Sequence, residues 1–595
     1  MPARRNKSRL RWALGLTGVA VVVLGVLAAF QAVQARAALL DVAGGFEQVS
    51  ADLRAGDADA ARESLASTRD RAREAKDTTD GLLWRAGSRA PVIGDDVLAV
   101  RTVADVAHVL ADDVLDDVVT AADALDPERL RPRDGRIALG PLKQVRPSVV
   151  AADEELRRQA DRVAEIDTDG LLSQLATPVA DMQDRLDEAA TLSSRASYAV
   201  RLLPPMLGDG GPRNYLVLFQ NNAEIRATGG MPGALAVLRA QNGRISIEKQ
   251  GTAGDLGYHD PPVVPLAREE VELYERKLAM FAADITFTPD FPRTAELARA
   301  MWRATQGEDI DGVLSADPIS LSYLLEGTGQ VQVPGGPALS ADNAVRLLLS
   351  EIYRTQPDNE LQNVFFATAA REVFDAVASG KGDPAAVLKG LARSADEGRL
   401  YAWSSREEEQ SLIAETALGG AVPREAGPSP YIGFFLNDGT AAKMQYYLEH
   451  RVDVEPVSCN ARGRQQLDVT VTLTSYAPKN ARKLPASVIG PREDGQGYFG
   501  VRPGHMRINA HLYAPIGGWF ASSAYDGEER PLHEVEHHGH PVGSRTVEIA
   551  PGQTRELTYT VMTGLDQDGE VDLRVTPGVR GSGVGEVGIS ACNRS

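Results

Sequence analysis

Residues 12–35 carry no charged side chain, and the stretch between Ala13 and Phe30 is almost entirely Val, Leu, Ala and Gly. At about 1.5 Å of rise per residue, such a run is long enough as a helix to cross a hydrocarbon layer of about 30 Å. A chain that contains it is expected to divide between bilayer and water. The basic tail at 1–11, with Arg4, Arg5, Lys7, Arg9 and Arg11 and no acid, favours a cytoplasmic N-terminus. The expectation is a single-pass plasma-membrane protein whose lipid partner is met through residues 12–35 and whose bulk is extracytoplasmic. A cleaved signal peptide competes, because Ala35-Arg36-Ala37 has the small-residue look of a cleavage site. Signal-peptide apolar regions extend only to about 15 residues, which favours the retained anchor.

At 595 residues the chain exceeds a single core, and its hydrophobic and charged contents, 43% and 24%, are those of folded protein. The net charge is −19, and the basic tail makes the remainder more acidic still. Nucleic acid is therefore excluded as a partner class. There are two cysteines, Cys459 and Cys592. Outside the cytoplasm an even pair points to one bridge, with two buried free thiols as the alternative.

The pattern along the chain is that of an α+β multidomain protein. Residues 36–205 read as a helical stalk: Val106, Leu110, Val114 and Val118 recur every four residues between paired aspartates, and Ala90-Pro91, the stretch 126–147 and Pro204-Pro205 are breakers. The paired aspartates lack calcium-loop spacing and read as a solvated face. Residues 206–450 read as a central α/β domain. From 451 to 595 short period-two runs such as Leu467-Asp468-Val469-Thr470-Val471-Thr472-Leu473 predict a β-sandwich.

The densest polar segment lies between two apolar runs, Tyr215 to Phe219 and Ala234 to Leu238. Gln220, Asn221, Asn222, Glu224 and Arg226 come off a strand end and lead into Gly229, Gly230 and Gly233. Amides, a carboxylate and a guanidinium beside glycines that admit close backbone approach suit a polar or phosphorylated ligand. A network bracing a loop against its sheet explains the same residues equally well.

His533-Glu534-Val535-Glu536-His537 matches the zinc-protease pattern, but that chemistry needs both imidazoles one helical turn apart. Pro531, Gly539 and Pro541 deny it the helix, and a surface hairpin is expected. Gly583-Val584-Gly585-Glu586-Val587-Gly588 has no following helix and reads as a strand turn. No phosphate-binding loop, nucleophile elbow, kinase set or defensible triad occurs, so no catalytic residue is assigned.

The segment Asn214 to Gly230, with Phe435-Leu436-Asn437-Asp438, Lys443 and Tyr446-Tyr447, resembles an actinobacterial family of membrane-anchored proteins, the domain of unknown function 4012 family. More distantly, Ile310 to Asp317, Leu324 to Val333 and Leu339 to Ala344 resemble the LytR-CpsA-Psr phosphotransferases, which move glycopolymers from a polyprenyl pyrophosphate carrier to peptidoglycan. That resemblance implies Arg226 and Arg354 as phosphate-binding arginines and Asp358 as an acidic residue near them. Asn221 and Asn222 stand where that family has an aspartate, Gly229-Gly230 where its metal-binding aspartate falls, and Glu248-Lys249-Gln250 replaces an arginine-aspartate pair. Neutral amides bind magnesium weakly, so no cofactor is expected.

The sequence thus predicts a cell-envelope protein whose central domain binds a lipid-linked glycan or phosphorylated polymer through Asn221, Asn222, Glu224, Arg226, Gly229, Gly230, Arg354 and Asp358. Transfer of that polymer to the cell wall would make it an enzyme. The alternative is a non-catalytic structural or adhesion protein of the envelope.

Overall fold

The computed structural model describes residues 34–53, 57–124, 126–493 and 496–593. The basic tail and all but the last two residues of the expected anchor lie outside them. No helix among the described residues is long and apolar enough to cross a membrane. The chain forms two compact units, Met1–Leu130 with Ala138–Pro205, and Arg131–Ile137 with Met206–Ser595.

The first unit is helical, as the periodicity predicts. Val106, Leu110 and Val114 pack with Ala152, Leu156, Val163 and Leu186, and Val118 lies against the same cluster. The aspartates between them are not simply solvated: Asp105 meets Lys76 at 2.9 Å and Arg162 at 2.8 Å, and Asp112 meets Arg73 at 3.3 Å. Pro147 does not break its helix and lies inside Leu139–Ala164, whereas Pro204-Pro205 closes the helix Ser173–Met206, which ends one residue later. An internal proline costs about 3 kcal/mol, and in the first of these helices burial of Leu142, Val145, Val149 and Leu156 along one face offsets it.

The second unit opens with a five-stranded mixed sheet. Its strands are β1 (Arg213–Arg226), β2 (Gly229–Gln241), β3 (Arg244–Thr252), β4 (Gly312–Ala316) and β5 (Leu400–Ser404), in the order β3-β2-β1-β4-β5. The β2–β3 turn has Asn242 at φ 50° and Gly243 at φ 80°, the left-handed pair that Asn-Gly supplies in tight hairpins. β1 pairs antiparallel with β2 and parallel with β4, so helix Phe291–Gln306 covers one face on the crossover. Leu216 and Leu218 pack there with Phe291, Leu297, Met301 and Val313. β5 follows the amphipathic helix Pro384–Asp396, which Asp383 caps by accepting from Ala385 N–H at 2.9 Å with Pro384 at its first position.

Two further sheets follow. One orders His533–His537, His540–Ile549, Met506–Tyr513, β6 (Tyr431–Asp438) and Asp572–Val575. The other orders Glu528–Glu529, Trp519–Tyr525, Thr554–Met562, β8 (Gln465–Ser475), β7 (Leu448–Cys459) and Val584–Val587. They share one core, with Phe434, Leu436, Ile508 and Leu512 from the first facing Val452, Val469, Val471 and Leu557 from the second. Cys459 and Cys592 are disulfide-bonded across 133 residues, tying β7 to the segment after Val584–Val587.

Candidate functional site

β1 is longer than its apolar run. The segment expected to leave the sheet after Phe219 stays in it through Arg226, and residues 227–228 alone connect it to β2. Pairing jumps from Asn221↔Met231 to Ile225↔Gly230, so Asn222, Ala223 and Glu224 bulge from the ladder. The hairpin tip reaches the C-terminal sheets. Ala227 N–H donates to Asn437 Oδ1 at 3.0 Å, Thr576 Oγ1 donates to Ala227 O at 3.0 Å, and Ile225 lies in the core between the two C-terminal sheets.

The polar side chains of this hairpin separate into two groups. The amides turn inward and bond to their own scaffold. Gln220 Oε1 accepts from Gly230 N–H at 2.7 Å while its amide reaches Ser315 Oγ. Asn221 Nδ2 donates to Tyr353 Oη at 2.7 Å, and Asn222 Nδ2 to Asp317 Oδ2 at 2.9 Å. Gly230 is required by close packing: a Cβ there would lie 2.3 Å from the Asn221 carbonyl carbon. Gly229 sits at φ 130°, where its missing side chain clears Gln220. None of these residues lines the cleft that the second group forms.

Glu224 and Arg226 do. They floor a cleft of about 430 Å³ whose walls come from residues 273–287, from the end of β6 and from strand Met506–Tyr513. Arg226 Nη2 donates to Glu224 Oε1 at 3.1 Å, and Nη1 to Ile225 O at 3.0 Å. Its guanidinium stacks on Phe287, 4.6 Å from the ring centroid. Lys443 Nζ reaches Glu224 Oε2 at 3.4 Å. Two more carboxyls flank the guanidinium at ion-pair but not hydrogen-bond distance, Asp284 at 4.0 Å and Asp438 at 3.9 Å. Arg226 Nε and Asp438 Oδ2 are buried without a hydrogen-bond partner among the described residues. Burial pushes the Asp284 carboxyl up to about 6, against the pull of Arg226 and Lys277, and drives that of Asp438 upward too.

Arg354 and Asp358 lie elsewhere. Arg354 is exposed at the end of helix Ile352–Thr355, and Asp358 caps helix Asn359–Ala378 by accepting from Glu360 N–H at 2.8 Å; neither lines the cleft. No local sequence signal marks Asp284, Lys277 or Arg507, which share the cleft with Arg226. Asn437-Asp438, at the polar end of an apolar strand, is the legible part of its far wall.

The histidine motif is a strand hairpin at a sheet edge, with His533, Glu534 and Glu536 exposed as expected, but two of its histidines turn inward. His537 and His540 are buried; His537 Nδ1 bonds Tyr513 Oη at 2.9 Å, and the His540 ring lies between Ala514 O and Pro423 O. Alternation along the strand turns His537 inward, and burial brings its imidazole down to about 3. At about 3.3 Å per residue the two motif histidines are far beyond joint reach of one ion. Among the described residues no group of three His, Cys, Asp or Glu side chains is arranged to hold a metal.

The stretch that builds the hairpin, the helices beside it and the floor of the cleft matches one family model, described as a protein of unknown function (DUF4012). Residues 210–353 are a DUF4012 domain. No curated protein and no solved structure matches the chain. The DUF4012 span supplies Glu224, Arg226 and the 273–287 wall, whereas Asn437, Asp438, Arg507 and His511 come from sequence beyond it.

Proposed function

We propose that this chain is a membrane-anchored, extracytoplasmic protein of the cell envelope that binds a lipid-linked glycan or phosphorylated polymer in the cleft at Glu224 and Arg226. One observation supports the ligand role most: a guanidinium, several carboxyls and the aromatic residues Tyr274, Phe287 and Phe499 line a cavity of about 430 Å³, within the size range of small-ligand sites. Hydroxyl groups would answer the buried Nε and Oδ2 atoms that lack partners, and sugar C–H faces suit the rings. The anchor rests on the uncharged run at 12–35.

The cleft favours the sugar over the phosphate part of such a ligand. Arg226 is flanked by Glu224, Asp284 and Asp438, so little positive charge is left for an anion. Transfer to the cell wall, and the distant LytR-CpsA-Psr likeness behind it, would need the phosphate held away from this arginine. A non-catalytic structural or adhesion role is favoured by one specific fact, the burial of Asn221 and Asn222 with their amide nitrogens bonded to their own scaffold.

An array of bacterial envelope glycans probed with the full chain and with Arg226→Lys tests the reading. Glycan retention by the wild type and its loss in a variant that still melts cooperatively support it. No retention, or equal retention by both proteins, leaves the bracing role.

A further inference from the structure

We infer that the ligand of this cleft carries a primary ammonium group, seated against the carboxyls of Asp284 and Asp438. This rests on the saccharide reading and narrows it to sugars bearing a free amine.

Charge in the cleft is unmatched. Each cation in or beside it is already committed: Arg226 to Glu224 at 3.1 Å, Lys443 to the same carboxylate at 3.4 Å, Lys277 to Glu275 at 3.5 Å and Arg507 to Glu548 at 3.6 Å. Among the described residues, Asp284 and Asp438 have no cation nearer than the 4.0 and 3.9 Å to Arg226. Asp438 is the sharper case, since its side chain is fully buried and Oδ2 lacks a hydrogen-bond partner. Its other oxygen is taken by Thr440 and Gln445. A buried carboxylate without a donor is costly, and an N–H donor bearing charge is the group that relieves it.

The donor is better an ammonium than a divalent ion. Among the described residues no three His, Cys, Asp or Glu side chains are arranged to hold a metal, and a divalent ion needs more oxygen ligands than Asp284 and Asp438 supply. An ammonium also brings directional hydrogens that nearby carboxyls can share. The rest of the wall suits a saccharide frame: Asn509 adds an amide, and Tyr274 and Phe499 add aromatic lining.

Protonation then follows binding. The groups facing Asp284 are Arg226 and Lys277, which draw its proton off, and Glu224 and Glu275, which hold it on; burial dominates and leaves it titrating near 6. A bound ammonium adds a third cation, so uptake of the amine expels a proton and affinity falls as the solution is acidified through that range.

Isothermal titration of the full chain at pH 7 with tetraglucosamine, with its fully N-acetylated counterpart and with calcium chloride is the test. The free-amine sugar should bind about 10-fold or more tighter than the acetylated one, the scale of one charge-assisted hydrogen bond. Asp284→Asn should shrink that preference several-fold, weakening the free-amine sugar more than the acetylated one. Should that variant not fold, comparison of the two sugars on the wild type is sufficient by itself. Equal affinity for both, or tighter binding of the acetylated sugar, overturns the ammonium inference and leaves the saccharide reading standing. Calcium binding that Asp284→Asn abolishes would assign the carboxyls to a metal ion and also overturns it. Binding of neither sugar overturns inference and reading together.

Discussion

Arg226 and Asp438 face each other across the cleft with Nη1 3.9 Å from Oδ2, close enough to feel one another's charge and too far to share a hydrogen. One comes from the DUF4012 hairpin and the other from the first strand of the C-terminal sheets, so this near-contact lies on the seam that Ala227 and Ile225 also join.

Removing the guanidinium leaves three carboxyls without their common counter-ion. Arg226→Ala is expected to lower unfolding free energy by about 3–5 kcal/mol, the cost of breaking a buried pair from one side. Denaturant unfolding measures it. Arg226→Lys keeps the charge and should recover part of the loss.

The amides behave differently, because they bond to scaffold and not to the cleft. Asn222→Ala removes the donor to Asp317 Oδ2, an oxygen that Arg399 also holds at 2.9 Å. A loss of about 1–3 kcal/mol is expected, with glycan retention on the array unchanged. Loss of retention at full stability would return Asn222 to the ligand site.

Gly230 has no room for a methyl group. Its Cβ would meet the backbone of Asn221 at 2.3–2.4 Å, and backbone in a paired strand cannot step aside. Gly230→Ala should cost about 3 kcal/mol or more, read from chemical denaturation, and should loosen the bulge that turns Glu224 into the cleft.

The disulfide closes a long loop. With Cys459 and Cys592 separated by 133 positions, chain-entropy arguments give about 4–5 kcal/mol of stabilisation as an upper figure. Cys592→Ser in Cys459→Ser background should lower the melting temperature, and reductant should have no further effect on that variant.

Acid should destabilise the fold from about pH 6.5 downward. His450 and His511 titrate near 4 and His537 near 3 because burial disfavours their charged forms, whereas the unfolded chain protonates them at about 6.5. Depressed histidines contribute fully above the unfolded value and lose that contribution as pH falls toward the folded one. Each gives a slope of about 1.4 kcal/mol per pH unit in that window. Asp284, raised to about 6, acts in the opposite sense and stabilises increasingly as pH drops through that value, and burial raises Asp438 and Asp572 as well. Four depressed histidines, His538 included, outnumber the three raised aspartates, so the melting temperature should fall, and Asp284→Asn should steepen the fall. A flat profile between pH 6.5 and 4 would contradict these assignments.

Regular elements with one periodic face are readable from sequence. The stripe Val106, Leu110, Val114 and Val118, the Asn242-Gly243 hairpin and the alternation in β8 all follow from local pattern, and each appears. What is not readable is set by partners distant in the chain. Nothing local says that β1 continues through Asn221 to Arg226, because those polar residues are made strand by pairing with β2 and by docking on β6. Likewise Asp284 sits in an ordinary Ala-Ala-Asp-Ile segment and becomes notable only beside Arg226. The polar neighbours of His537 suggest an exposed residue; strand alternation buries it.

β1 contributes Leu216 and Leu218 to one hydrophobic core and Ile225 to another. A single extended segment is therefore stitched into both, and neither core can loosen without tugging on the other. Such a splice makes cooperative melting of the whole second unit the natural outcome, and it gives an occupant of the cleft leverage over both cores at once.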